Sequence, residues 1–197
     1  MVSKLENKNF DEKISLMFDE SSKSITDSKI LTKKISLAIS EILKSLKKNH
    51  KIILFGNGGS AADAQHMAAE FIGRYKLERE SIPAISFTTD TSIITSIGND
   101  YSFDQVFSRQ CSSLVNKGDI VIAISTSGNS KNVLNGCKIA QKNGAFVICL
   151  TGKTGGKLKL LSNILLNVPS NDTPRIQESH RIIIHTICEI VELNFST

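Results

Sequence analysis

The arrangement of apolar positions changes once along the chain. Up to about residue 49, Ile14, Met17, Phe18, Ile25, Ile35, Leu37, Ala38, Ile39, Ile42, Leu43 and Leu46 recur at spacings of three and four. That period predicts amphipathic helix. No Gly or Pro falls between residues 10 and 49, which argues against a flexible linker, and Asp27 or Ser28 is the expected break between two helices. From about residue 51, short apolar runs alternate with longer helical stretches. The runs are Ile52–Phe55, Ala84–Phe87, Ile120–Ile124, Phe146–Leu150 and Ile164–Val168. They are continuous and rich in β-branched residues, as expected of strands covered on both faces, hence of a parallel sheet between helices. The intervening stretches are long enough for crossover connections. Gly152–Leu161, rich in Gly and Lys, has no clear assignment, and Thr173-Pro174 opens a C-terminal helix over 174–195. The predicted fold is α/β: a five-stranded parallel sheet of flavodoxin-like order over 50–197, preceded by a helical segment over 1–49.

Composition narrows the classes. The chain has 197 residues, and 24 Lys and Arg against 19 Asp and Glu give a formal charge of +5. The surplus is mild and spread in pairs such as Lys33-Lys34 and Lys47-Lys48, so no nucleic-acid partner is expected. Met1–Lys8 has no apolar core and no apolar run approaches the length of a membrane span, so a cytoplasmic protein without a membrane partner is expected. Cys111, Cys137, Cys149 and Cys188 lack metal-type pairing and read as reduced, buried thiols.

A sheet of order 2-1-3-4-5 reverses between strands 1 and 3, and ligands bind outside the carboxyl ends of the strands at such a point. Two loops fall there. Gly56-Asn57-Gly58-Gly59-Ser60 runs into a helix whose free N–H groups suit an anion. With Ala61 it also fits a loose dinucleotide fingerprint, but the acid expected about 20 positions on is missing, Asp90 being the nearest. The other loop, Ser125-Thr126-Ser127-Gly128-Asn129-Ser130, places four hydroxyls before a helix, more than one cap requires. It is suited to a phosphomonoester, and no Walker lysine accompanies it.

The helix after the first loop is mostly small or apolar, yet Asp63, His66, Glu70 and Arg74 share one face. Buried, such groups need partners or a ligand. His66 and Glu70, at i and i+4, have the spacing of two metal ligands on a helix. An internal ladder pairing Glu70 with Arg74 and Asp63 with His66 is the alternative. In the C-terminal helix Gln177 and His185 lie on roughly one face, and His185 follows three isoleucines, which is unusual for a surface histidine. His50 reads as a loop residue and His180 as outward or at a rim.

Together, Gly56–Ser60, Asp63, His66, Glu70, Gly73-Arg74, Gly98-Asn99-Asp100, Ser125–Ser130, Arg175–Glu178 and His185 resemble the sugar isomerase (SIS) family over about residues 10–195. The joint presence of His66, Glu70, Gln177 and His185 is most similar to those members that convert sedoheptulose 7-phosphate to D-glycero-D-manno-heptose 7-phosphate, a bacterial heptose precursor for lipopolysaccharide or capsule. The resemblance implies a homotetramer with the N-terminal helices in a central bundle and sites at subunit contacts. It implies one divalent metal per subunit, most often zinc, on His66, Glu70, Gln177 and His185. It assigns substrate contacts to Asn57, Gly58, Gly59, Ser60, Glu70, Asn99, Asp100, Ser125, Thr126, Ser127, Ser130 and Gln177, and proton transfer through an enediol to Glu70 and His185, with Asp100 assisting. Pro174 departs from relatives that carry an acid before the Arg-Ile-Gln segment.

Three other readings remain in view. A non-catalytic SIS protein that binds the replication initiator would be depleted at the positions of Glu70 and His185. An isomerase acting on arabinose 5-phosphate usually carries extra C-terminal domains. A nucleotide-binding Rossmann protein would need the missing ribose-binding acid.

Overall fold

The computed structural model describes residues 4–195, with side chains from Phe10 onward. Met1–Lys8, read above as lacking an apolar core, therefore lies outside the described side chains, and residues 1–3 and 196–197 lie outside the description altogether. In chain order the elements are α1 (Lys4–Asp27), α2 (Thr32–Leu46), β1 (Ile52–Gly56), α3 (Gly59–Ile72), β2 (Ala84–Ser86), α4 (Thr91–Asp100), α5 (Val106–Leu114), β3 (Ile120–Ile124), α6 (Lys131–Lys142), β4 (Phe146–Thr151), β5 (Ile164–Asn167) and α7 (Thr173–Phe195). The break expected at Asp27 or Ser28 is a short 3-10 turn, Ser28–Leu31, between α1 and α2.

All five strands pair in parallel in the order β2-β1-β3-β4-β5. The continuous apolar runs follow from burial on both faces: β1 and β3 are buried at every residue. Alternate side chains feed two cores. Ile52, Leu54, Ile120, Ile122, Ile124, Ile148 and Leu150 face α2, α3 and α7, whereas Ile53, Phe55, Val121, Ala123, Val147 and Cys149 face α5 and α6. The helical segment before residue 50 shares the first core through Ala38, Ile39, Ile42 and Leu46 of α2.

The edge strand β2 is shorter than its apolar run. Phe87 still donates its N–H to the Leu54 carbonyl at 2.9 Å, but the chain turns away beyond it. All four cysteines are buried without disulfides. No described helix is long and apolar enough to cross a membrane.

Candidate active site

The two loops read as ligand-binding leave the carboxyl ends of β1 and β3, which are neighbours in the sheet. After β1 the backbone turns sharply. A Cβ on Gly56 would come within 2.7 Å of the Ile124 carbonyl and 2.8 Å of the Ser60 Cβ. Gly58 has φ +55°, which favours glycine. Asn57 exchanges two hydrogen bonds of 2.9 Å with Asn132 of α6, so its amide ties the first loop to the helix that follows the second. Ser60 is buried against Gly56.

In the second loop, Ser125 Oγ lies 3.1 Å from Ser130 Oγ and Ser127 Oγ accepts from the Asn129 N–H at 3.1 Å. Gly128, with φ +64°, closes the turn by donating its N–H to the Ser125 carbonyl at 3.0 Å. The segment after β4 packs on this loop: Gly152 donates to the Thr126 carbonyl and Leu158 to the Gly128 carbonyl. Between them lies a cavity of about 280 Å³ lined by Thr126, Ser127, Gly152, Lys153, Ser170 and Ile176. Sequence reasoning left Lys153 and Ser170 out. The only local signal was the unassigned Gly- and Lys-rich stretch from 152 to 161, and nothing in it pointed to the β3 loop.

The polar stripe of α3 divides. Asp63 does not pair with His66; its carboxylate lies 2.6 Å from the Arg181 guanidinium of α7. Burial raises the Asp63 carboxyl above its ordinary value, against the opposing pull of Arg181. Arg74 does not pair with Glu70 but lies 3.8 Å from the exposed Glu78. The ladder is therefore absent, since α7 supplies the cation that Asp63 needs.

His66 and Glu70 turn instead toward His185 on α7. The two Nε2 atoms are 2.8 Å apart, and His66 Nε2 is 3.3 Å from Glu70 Oε1. One donor atom from each of the three residues lies within 4.8 Å of the others. Burial and the Arg181 charge lower the His66 value, outweighing Glu70, so its imidazole is held neutral, the form that ligates metal. Tetrahedral ligands at about 2.0 Å from a zinc ion stand roughly 3.3 Å apart. Two of the separations, 2.8 and 3.3 Å, are near that spacing and the third is within 4.8 Å, and the mixture of imidazole and carboxylate suits a borderline divalent metal.

Gln177 sits eight residues before His185, about 12 Å along α7 at the helical rise. Its amide rests against Gly59, where an added Cβ would overlap Nε2. Asn99 and Asp100 are exposed at the end of α4, hydrogen-bonded to each other at 2.9 Å, and Asp100 is not brought to the histidines by any described contact. Asp90 caps α4 by accepting the Ile93 N–H at 2.9 Å, a structural role for the acid nearest the dinucleotide position. The expectation of an outward His180 is overturned: it is fully buried, with Nε2 3.2 Å from the Thr151 carbonyl. The registers of α7 and β4 close over it, which no local pattern discloses.

A family profile described as SIS domain matches residues 18–152. The phosphoheptose isomerase of Aliarcobacter butzleri is 58% identical over 154 residues, spanning 78% of this chain and 82% of its own length. Among solved structures, the phosphoheptose isomerase of Neisseria gonorrhoeae superposes with a TM-score of 0.89 at 43% identity, covering 93% of this chain and 99% of its own. That of Francisella tularensis gives 0.90 at 35% identity, covering 92% and 97%.

Proposed function

This chain belongs to the SIS-domain family, among its phosphoheptose isomerases, and from that premise we propose how it works: it converts sedoheptulose 7-phosphate to D-glycero-D-manno-heptose 7-phosphate. The observation that carries the reading is the convergence of His66, Glu70 and His185 from two helices, in a fold that also sets a hydroxyl loop at the strand ends.

The phosphate is bound by Ser125, Thr126, Ser127 and Ser130 and by the free N–H groups that start α6. Asn57, Gly58, Gly59, Ser60 and Gln177 line the sugar, while Asn99 and Asp100 address its hydroxyls. Binding energy from this remote anion orients the reacting carbons. Glu70 takes a proton from C1, the C2 carbonyl becomes part of an enediol, and a proton returned to C2 completes the aldose. His185 exchanges the hydroxyl protons, so the pair works as acid and base. His66, Glu70 and His185 would hold a divalent metal, zinc by their donor set, and Gln177 would be the fourth ligand that the family resemblance implies. When bound, that ion polarises the substrate oxygens.

The remaining parts of the proposal are assembly and setting. Phe10, Ile14, Met17 and Phe18 of α1 are all more than half exposed, and an apolar groove of about 610 Å³ runs between α2 and α7 past Ile35, Ile39, Ile182 and Ile190. Surfaces of this kind support a homotetramer with α1 in a shared bundle and sites completed at subunit contacts. The enzyme works in the cytoplasm, supplying heptose for lipopolysaccharide or capsule.

The test is conversion of sedoheptulose 7-phosphate by the purified protein, followed by proton NMR. Glu70→Gln should lower kcat by at least about 100-fold, the usual scale of a lost acid–base group, with an unchanged circular dichroism spectrum. A variant that keeps the parental kcat refutes the role of Glu70, and a parental protein without turnover refutes the substrate.

A further inference from the structure

Helices α3 and α7 meet again beyond the His66–Glu70–His185 group, through charges that the proposed chemistry does not use. Arg79 and Glu192 form an ion pair of 3.1 Å with side chains only 2% and 1% exposed. Such a pair is costly to bury unless its remaining hydrogen-bonding capacity is met, and here both partners are engaged. The Glu192 carboxylate accepts the backbone N–H groups of Tyr75, Lys76 and Leu77 at 2.7 to 2.9 Å. Arg79 donates to the carbonyls of Glu70 and Phe71 at 2.8 and 2.9 Å, and to that of Glu80 at 2.8 Å.

Two of these acceptors are end carbonyls of α3, which have no helical partner of their own. One belongs to Glu70 itself. Glu192 lies seven residues after His185, two turns along the same face of α7. The pair therefore spans the seam that the three donor atoms span, one step further along. The loop it secures carries Tyr75, whose ring lies 5.6 Å from that of His185 at an interplanar angle of 47°. The His66 ring lies on the His185 imidazole as well, at 5.1 Å. Two rings therefore lie against His185, and one of them, Tyr75, is carried by the loop that the latch secures.

We propose that Arg79, Glu192 and Tyr75 are positioning residues: the buried Arg79–Glu192 pair fixes the end of α3 behind Glu70 and holds the Tyr75 ring against His185, setting both donors for a divalent cation. The inference rests on the reading of His66, Glu70 and His185 as the metal and proton-transfer group. Outer partners of metal ligands typically account for 10- to 100-fold in affinity.

The chain has two tyrosines, Tyr75 and Tyr101, and no tryptophan. In a Tyr101→Phe background, emission therefore reports Tyr75 alone. Zn2+ titration of the metal-free protein should change that emission. Glu192→Gln should weaken the Zn2+ dissociation constant at least tenfold, make Tyr75 more accessible to acrylamide, and lower kcat more than it raises KM. Tyr75→Leu leaves the latch bonds in place, because they use its backbone. With Zn2+ measured against a chromogenic chelator, it should still weaken binding several-fold while Tm is kept. A folded Glu192→Gln protein with an exposed Tyr75 and parental Zn2+ affinity would overturn the proposal. So would a Tyr75→Leu protein with parental affinity and kcat, or a parental chain that does not bind Zn2+. Zn2+ binding that responds to both variants, in a protein that leaves sedoheptulose 7-phosphate unchanged, would support the latch and overturn the substrate alone.

Discussion

Acidification should unfold this protein partly through His180. The side chain is fully buried on α7 with Nε2 3.2 Å from the Thr151 carbonyl. A neutral ring that donates from Nε2 leaves Nδ1 as a bare acceptor, and among the described residues Nδ1 has no partner. Burial pushes the imidazole down to about 4, with the Thr151 carbonyl resisting only in part. In the unfolded chain it returns to its ordinary value of about 6.5. Between those two values the unfolded state binds a proton that the folded state refuses, so stability rises with pH across that window. The neutral ring's contribution is fully present above pH 6.5 and is lost as the pH falls toward 4. The gap is worth about 3 kcal/mol at 1.36 kcal/mol per pKa unit, a large part of the roughly 5–15 kcal/mol that holds a domain folded. Urea midpoints measured from pH 7.5 to 4.5 would show the fall. His180→Gln keeps an N–H near the Thr151 carbonyl but cannot titrate, so its stability should decline less over the same range. Carboxylates contribute equally to both proteins and drop out of the difference. Parallel curves for the two would refute the burial argument.

Two further outcomes are expected at the site. In Gly128→Ala, an L side chain would have to adopt φ +64° and its Cβ would overlap the Gly155 carbonyl, a backbone atom that cannot step aside. The strain, about 1–2 kcal/mol, should distort the hydroxyl loop and raise KM for the sugar phosphate more than it lowers kcat, as steady-state kinetics would show. Zn2+ at about a hundred times its dissociation constant should add about 2.7 kcal/mol to the unfolding free energy. That gain is read as a rise in Tm that a chelator reverses and that His66→Ala lacks.

Much of the architecture was legible in the sequence because local patterns carry it. Runs such as Ile120–Ile124 can only be strands buried on both faces, and five of them separated by helical stretches imply a parallel sheet. The order then places Gly56–Ser60 beside Ser125–Ser130, because strands 1 and 3 must be neighbours. His66 and Glu70 stood out by helical spacing, which left a metal pair and an internal ladder both open, and the positive φ of Gly58 and Gly128 falls where glycines mark a turn.

What the sequence left open concerns partners distant along the chain. Whether Asp63 meets His66 or Arg181 is decided by the approach of α7, which brings a cation from 118 positions further along. His180 and His185 stand in the same apolar helix, five residues apart, and the three isoleucines that marked His185 gave no sign that His180 is the more deeply buried. The rotation of α7 against the sheet sends one into the core beside Thr151 and the other onto α3. Lys153 comes to line a cavity with Thr126 and Ser127, and Tyr75 comes to His185, only through the packing of their loops. Sequence by itself determined the elements, their order and the loops at the strand ends, since those depend on period and on backbone freedom. Tertiary structure alone decided which buried charge or imidazole faces which, because burial sets a polar group's partner and burial is a property of the assembled helices.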